Sequence, residues 1–454
     1  MEAKIARRRK VAKFLGPEGT AALAHCLNSV QRILPHAEVS SVRFEGFSRA
    51  SVAWASSQRT QLRLRFSVGA TKGFSVVCVV RRKAVPSGVG AIVRTIDSRE
   101  RLVCESIVRL AASFFCLDSP PTSSAIIAVP ALFDELVVAD YLKQRHHLKL
   151  DVFEFMGSLR HLAEQTYENS AFTFGCIIDT ADQTYPQAGT AFPAAFFELK
   201  RYRALSDAYY TSYMVSSAGK LLSFMNLYAG LGQTTAKHYY PEWCAQFAEQ
   251  AQSGRVGLAL NRQGEILLIE DGTLRFSYRF GKWQYWNHSH LIDLAKNLIR
   301  TQHVQVGVVA KVANAIYRAA LDVSFRRSGG LFVVLRNTGY LKHLAKVADV
   351  IDNPHRSQVN AAFDHALPAT NIMTIPRTIL LELSSLDGAI VCSNSGELLA
   401  YGAVLEPTKK GRPSAAEGSR TKAAIGSSMY GLALKISSDG EISMYRRGER
   451  FLRV

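Results

Sequence analysis

The chain has 454 residues, 48% of them hydrophobic and 20% charged, and carries a formal net charge of +18. That much apolar material excludes a disordered chain, and the length suggests roughly two to four domains. The charge favours anionic partners such as nucleotides, nucleic acid or an acidic protein surface, although Lys and Arg spread over solvated faces account for much of it.

The first region, about residues 1 to 150, opens with Arg7-Arg8-Arg9-Lys10 and Lys13, followed by neither an apolar segment nor a cleavage site. No secretory signal is expected, and the cytoplasm is the expected location. The spacing of Ala22, Leu23, Leu27, Val30 and Ile33 predicts a helix, Gln61 to Phe66 alternates as a half-exposed strand, and Phe74 to Val80 reads as a buried one. A helix is expected from Arg101 to Phe115, then a loop at Pro120-Pro121 and a buried strand from Ala125 to Val129. The apolar run from Ser106 to Leu117 is too short to cross a bilayer and contains Arg109, so no membrane partner is expected.

The second region, about 151 to 303, begins with an amphipathic helix through Val152, Met156, Leu159 and Leu162, then a core strand from Thr173 to Asp179. Aromatic-rich helical material is expected from Phe196 to Met225. A meander follows: Val256 to Leu260, Glu265 to Ile269, a turn at Asp271-Gly272, and Leu274 to Arg279. Trp283, Tyr285 and Trp286 are read as a core cluster, with base stacking as the alternative. His146-His147 and His288-x-His290 lack partners at ligand spacing and are taken as polar surface histidines. Gly230-Leu231-Gly232 is too short a pattern for a dinucleotide site.

The third region, about 304 to 454, starts with a helix through Val309, Val312, Ile316 and Ala320, ended by Arg326-Arg327-Ser328-Gly329-Gly330. Leu331 to Leu335 is a buried strand, Pro354, Pro368 and Pro376 break the next stretch, and Thr378 to Leu383 is helical. The fold class is therefore α/β (mixed α+β) and multi-domain. Cys26, Cys78, Cys104, Cys116, Cys176, Cys244 and Cys392 are scattered without a Cys-x-x-Cys pair, so buried free thiols are expected and a disulfide framework is not. No Lys/Arg stripe interleaves with aromatics, so nucleic acid is not expected.

Two segments of the third region carry chemistry. Asp387-Gly388-Ala389 is an acidic turn entering an apolar strand. Gly418-Ser419-Arg420-Thr421-Lys422 reads as a loop offering backbone amides, two hydroxyls and two cations, and Ala423-Ala424-Ile425-Gly426 is small enough for a ligand to approach. Phosphate needs such donors: Arg forks onto two oxygens and Lys acts as a point charge. The polar segment between them, Glu406 to Glu417 with Lys409, Lys410 and Arg412, is either a cover for phosphates or a solvated connection.

In this order, the two segments resemble the nucleotide-binding core of diadenylate cyclase domains, which carry Asp-Gly-Ala at a strand start and Gly-x-Arg-His-Arg-Ala-Ala before an apolar strand. Thr421 stands where that family has His, and Lys422 where it has its second Arg. Gly431 to Ser443 is similar to the closing hairpin, so the resemblance covers about the last third of the chain. The acidic Ser-Glu-Glu-Thr-Gly turn of active cyclases is replaced by Ser437-Ser438-Asp439-Gly440, which displaces acids expected beside a metal. The chain looks most like the nucleotide-sensor variant called DACNV, and Leu162 to Asp179 with the meander through Trp283 resembles the segment upstream of such domains.

The resemblance implies a nucleotide or cyclic-dinucleotide sensor of bacterial signalling or conflict, with ATP or a cyclic dinucleotide held by Asp387, Gly388, Ala389, Gly418, Ser419, Arg420, Thr421 and Lys422. Arg420 and Lys422 would grip phosphate, Ser419 and Thr421 would donate hydroxyl hydrogen bonds, and Gly388-Ala389 would line base or ribose. Mg²⁺ or Mn²⁺ would accompany the nucleotide, with Asp387 as its ligand. A homodimer through the third region is implied as well. Two alternatives stay open: a working cyclase joining two ATP into cyclic di-AMP, with Asp387 catalytic, and a ligand-free scaffold. Sensing is expected ahead of turnover.

Overall fold

The computed structural model describes residues 19–46, 54–58, 61–68, 74–82, 96–115, 130–167, 170–181, 204–229, 238–351, 353–355, 357–405 and 418–454. The protein is a mixed α/β, multi-domain chain with two compact units. The first holds the described residues up to His238 together with Cys244–Trp286; the second holds Tyr239–Trp243 and Asn287–Val454.

The first unit contains two sheets. In the four-stranded antiparallel sheet, Phe74–Arg82 lies between Ala37–Gly46 and Gln61–Val68, with Trp54–Gln58 beyond. The seven-stranded sheet runs from Lys282–Tyr285 through Thr273–Arg279, Ile266–Glu270, Val256–Leu260 and Phe174–Asp179 to Thr211–Ser216 and Leu221–Asn226. Helices Ser98–Phe115, Pro130–His146 and Val152–Ala163 supply Val103, Phe133, Tyr141 and Phe155 to one core that also takes Leu62, Val80, Phe174, Leu258, Phe276 and Trp283. Trp283, Tyr285 and Trp286 are buried, as the core reading required.

Two expectations need correction in this unit. Residues 211–226 form a strand pair, with Gly219 at φ 76 in the turn and Ser216 N donating to Lys220 O at 2.9 Å. The expected helix yields there because Thr211, Tyr213 and Val215 are β-branched or aromatic and alternate along the strand, while the part before residue 204 lies outside the described residues. His146 is not a surface group: its Nε2 lies 2.5 Å from Glu270 Oε1, a fully buried carboxylate that also accepts from Tyr141 Oη at 3.0 Å. A buried carboxylate requires such partners, and they lie far from it in sequence.

The second unit is built on a six-stranded sheet in the order Leu398–Ala403, Ala389–Ser393, Gly330–Leu335, Gly431–Ile436, Ile442–Arg446, Glu449–Arg453. Gly330–Leu335 is central: it pairs in parallel with Ala389–Ser393 and antiparallel with Gly431–Ile436. Every residue of the central strand is buried, which is what its continuous apolar run demands. One face is covered by Leu341, Leu344, Ala424 and Ile425, which pack on Leu331, Val333, Ala389, Val391 and Ala433. Helices Val306–Arg326 and Arg377–Ser384 also pack on the sheet and lead into its two parallel strands.

His288 and His290 belong to this unit, and both are buried rather than superficial. His288 Nδ1 lies 2.7 Å from Tyr317 Oη, and its ring stacks on Tyr239 at 5.1 Å between centroids. Asn287 caps the helix His288–Ile299, and both histidines of its first turn are buried. The six described cysteines are buried and free. Among the described residues, no helix is long and apolar enough to cross a membrane.

Candidate functional site

The parallel pairing fixes what shares one end of the six-stranded sheet. Phe332 pairs with Ile390, so carrying the register back sets Gly330 level with Gly388, and Gly330 itself pairs with Ile436. The amino ends of the two parallel strands therefore meet the carboxyl end of Gly431–Ile436 and its turn, Ser437 to Glu441. The aspartate turn lies at this end.

Asp387 and Gly388 are delivered by the end of helix Arg377–Ser384. Asp387 is exposed and has no hydrogen bond or ion pair among the described residues. Gly388 has φ 126, and a Cβ there would meet Ala403 N at 2.7 Å and the Gly402 carbonyl closer still. Only glycine permits this crossing. Ala389 is buried and pairs with Ala403, so it belongs to the sheet and its core.

Gly418 to Lys422 is not a loop. Gly418 is the N-cap of a helix, Ser419–Ser427, and Thr421 N and Lys422 N donate back to Gly418 O at 3.0 and 3.1 Å. No side chain caps this helix start, which leaves the first amides outside the helix's own bonding. The smallness of Ala424 and Gly426 serves packing instead of ligand approach, because both are buried. Tyr430 N donates to Ser427 O at 3.0 Å in the turn after the helix, which reverses the chain into Gly431–Ile436. That reversal brings the helix start back to the same sheet end as Asp387.

One contact makes the placement concrete. Arg420 lays its guanidinium across Gly329, where φ is 68 and an added Cβ would run into Arg420 Nη1. Arg420 is half-buried, while Gly418 and Ser419 are exposed and Thr421 and Lys422 half-buried. In sequence, Gly329 reads only as part of a helix terminator. The paired Gly329-Gly330 after Ser328 is the sequence signal that the backbone needs room there, and Arg327 at φ 57 shows the chain already turning before it.

The acids at this end divide by engagement. Asp439 Oδ1 accepts from Glu441 N at 3.2 Å and from Ser437 Oγ within its own turn, and Glu441 pairs with Arg453. Among the described residues no three His, Cys, Asp or Glu side chains come together as a metal cage. The residues from Glu406 to Glu417 lie outside the described residues, as do Arg7 to Lys13, Ala125 to Val129 and Gly230 to Gly232.

No protein-family model matches the chain, and no curated protein matches it. Among solved structures, a double cysteine mutant of DacA from Staphylococcus aureus matches 31% of this chain and 87% of its own, at 20% identity and a TM-score of 0.24. A hypothetical membrane spanning protein from Bacillus cereus matches 36% of this chain and 86% of its own, at 19% identity and a TM-score of 0.23.

Proposed function

We propose that the second unit binds a nucleotide or cyclic dinucleotide through its phosphates at the amino end of the parallel strand pair, and that the protein serves as a sensor of that ligand. The contact of Arg420 with Gly329 carries the reading: it brings a forked cation to the sheet end that also holds the Asp387-Gly388 turn and an uncapped helix start. Exposed amides and the positive end of a helix dipole both favour an anion. In this proposal Ser419, Thr421 and Lys422 complete the phosphate contacts, and Gly388 borders the base or ribose, while Ala389 stays in the core beneath. Asp387, without a protein partner among the described residues, would hold Mg²⁺ or Mn²⁺ only in company with phosphate oxygens, a usual arrangement for Mg²⁺.

Calorimetry with ATP and with cyclic di-AMP tests this. A charge-assisted hydrogen bond contributes about 1.5 to 3 kcal/mol, so Arg420→Ala should weaken binding roughly tenfold to a hundredfold. Equal affinities for the parent chain and Arg420→Ala across a nucleotide panel would remove the site. Sustained formation of cyclic di-AMP from ATP and Mn²⁺, abolished by Asp387→Asn, would replace sensing with cyclase activity.

A further inference from the structure

The opposite end of the same sheet holds a second concentration of positive charge. Arg336 directly follows the central strand, and its Nε donates to Leu298 O at 3.0 Å while its backbone N donates to Tyr430 O at 3.3 Å. Arg446 ends the strand Ile442–Arg446, and Arg447 occupies the two-residue turn that follows. Ala433 pairs with both Val333 and Tyr445, and all three belong to the face covered by Ala424 and Ile425. Strict alternation then puts Arg336 and Arg446 together on the other face.

None of the three arginines makes an ion pair among the described residues. Glu449 stands opposite Arg446 in the hairpin register, yet it forms no ion pair with it. Burial and then the charge of Arg447 pull Arg336 below the usual arginine range, and burial followed by Arg336 and Arg447 does the same to Arg446. The guanidinium groups thus feel each other's charge.

The turn that presents Arg447 is fixed and unfavourable for its occupant. Arg447 has φ 51 and Gly448 φ 83, the pattern of a hairpin turn that favours Asn or Asp at its first position. Buried Ser428 pins it: Arg447 N donates to Ser428 O at 2.9 Å, and Gly448 N donates to Ser428 Oγ at 2.9 Å. A long cation held in left-handed backbone beside two others, with no ion pair among the described residues to offset them, is the wrong arrangement for stability and a suitable one for gripping an anion.

We propose that Arg336, Arg446 and Arg447 form a second anion site, which takes a phosphate or pyrophosphate group of a small molecule. Three forked cations at one end of the sheet match a compact, multiply charged group. A nucleic-acid backbone would instead call for cations distributed along successive phosphates. The site is separate from the one at Arg420, and its ligand need not be the same molecule.

The test uses the full chain carrying Arg420→Ala, so that the first site is weakened, and inorganic pyrophosphate as the probe. Pyrophosphate should bind saturably at physiological salt and raise the melting midpoint by a few degrees. Adding Arg446→Gln and Arg447→Asn should weaken that binding at least tenfold, abolish most of the ligand-induced shift, and leave the ligand-free midpoint no lower. Equal affinity with and without these two changes would overturn the site, as would absence of saturable binding in the Arg420→Ala chain. A lower ligand-free midpoint would show that the arginines are structural. Tighter binding of a single-stranded oligonucleotide than of pyrophosphate, lost in the same variant, would reassign the ligand to nucleic acid. If ATP binding survives Arg420→Ala while pyrophosphate binding follows Arg446 and Arg447, the first site fails and the second stands.

Discussion

The two ends of the six-stranded sheet concentrate positive charge by different means. At the amino end of the parallel pair, backbone does the work: Gly329, Gly388 and Gly440 all take positive φ, and Arg420 lies where a side chain on Gly329 would be. At the carboxyl end side chains do it, with Arg336 held on Leu298 O at 3.0 Å and Arg446 and Arg447 at the neighbouring hairpin. The difference teaches where each end is fragile. The Gly388 turn tolerates no added atom, whereas the arginine turn at Gly448 has room for one and depends on charge.

Of the two turn glycines, Gly388→Ala should therefore have the larger effect. It combines forbidden φ with a clash against the Gly402–Ala403 backbone, and should cost about 3 kcal/mol or more. Gly448, at the other end, also has positive φ, but its added Cβ would meet only Met429 Sδ at 3.4 Å, so Gly448→Ala should cost about 1 to 2 kcal/mol. Denaturant titration of the two variants checks the ranking, and equal losses would mean that the Gly402 backbone moves aside.

A pH titration should separate the ends next. The helices that deliver Gly329 and Asp387 are braced by Asp322, which accepts from Arg377 Nε at 3.0 Å, Arg377 Nη2 at 2.6 Å and Glu242 N at 2.9 Å. Burial pushes Asp322 up to about 6 against the pull of Arg377. A carboxyl whose value is raised on folding stabilises the fold while protonated. That contribution is fully present below the unfolded value of 3.8 and is lost as pH rises through about 6. Stability should fall between those limits by on the order of 3 kcal/mol. Asp322→Asn should flatten the slope. Amide exchange should show the effect in Gly330–Leu335 near Gly330 more than in the Arg446–Glu449 turn, and a slope unchanged by Asp322→Asn would place the titrating group elsewhere.

What could be read from sequence follows the same division. The strands Gly330–Leu335 and Ala389–Ser393 were legible because continuous apolar runs have few other uses, and the aspartate turn because Asp-Gly marks a reversal. Gly418 to Lys422 reads as a loop in sequence because Gly418 offers no capping side chain and the short helix buries only Ala424, Ile425, Gly426 and Ser427. His288 misled because Tyr239 and Tyr317, which make its burial acceptable, come from separate segments. Arg336, Arg446 and Arg447 have no common motif, and only strand register brings them to one end of the sheet.

The smallest change is the sharpest test of what the amino end holds. Gly418 has φ −64 and open space where a Cβ would go, so Gly418→Asp fits without strain. An aspartate N-cap accepts an unsatisfied amide and complements the helix dipole, and should raise stability by about 0.5 kcal/mol. The same carboxylate would compete with phosphate for those amides and repel it, so ATP affinity should fall while pyrophosphate binding at the arginine end is unchanged. Stability and affinity then move in opposite directions. Calorimetry and melting of one variant suffice to see it. A more stable protein with undiminished ATP affinity would mean that phosphate does not sit on this helix start, even if Arg420 contributes to binding from its seat on Gly329.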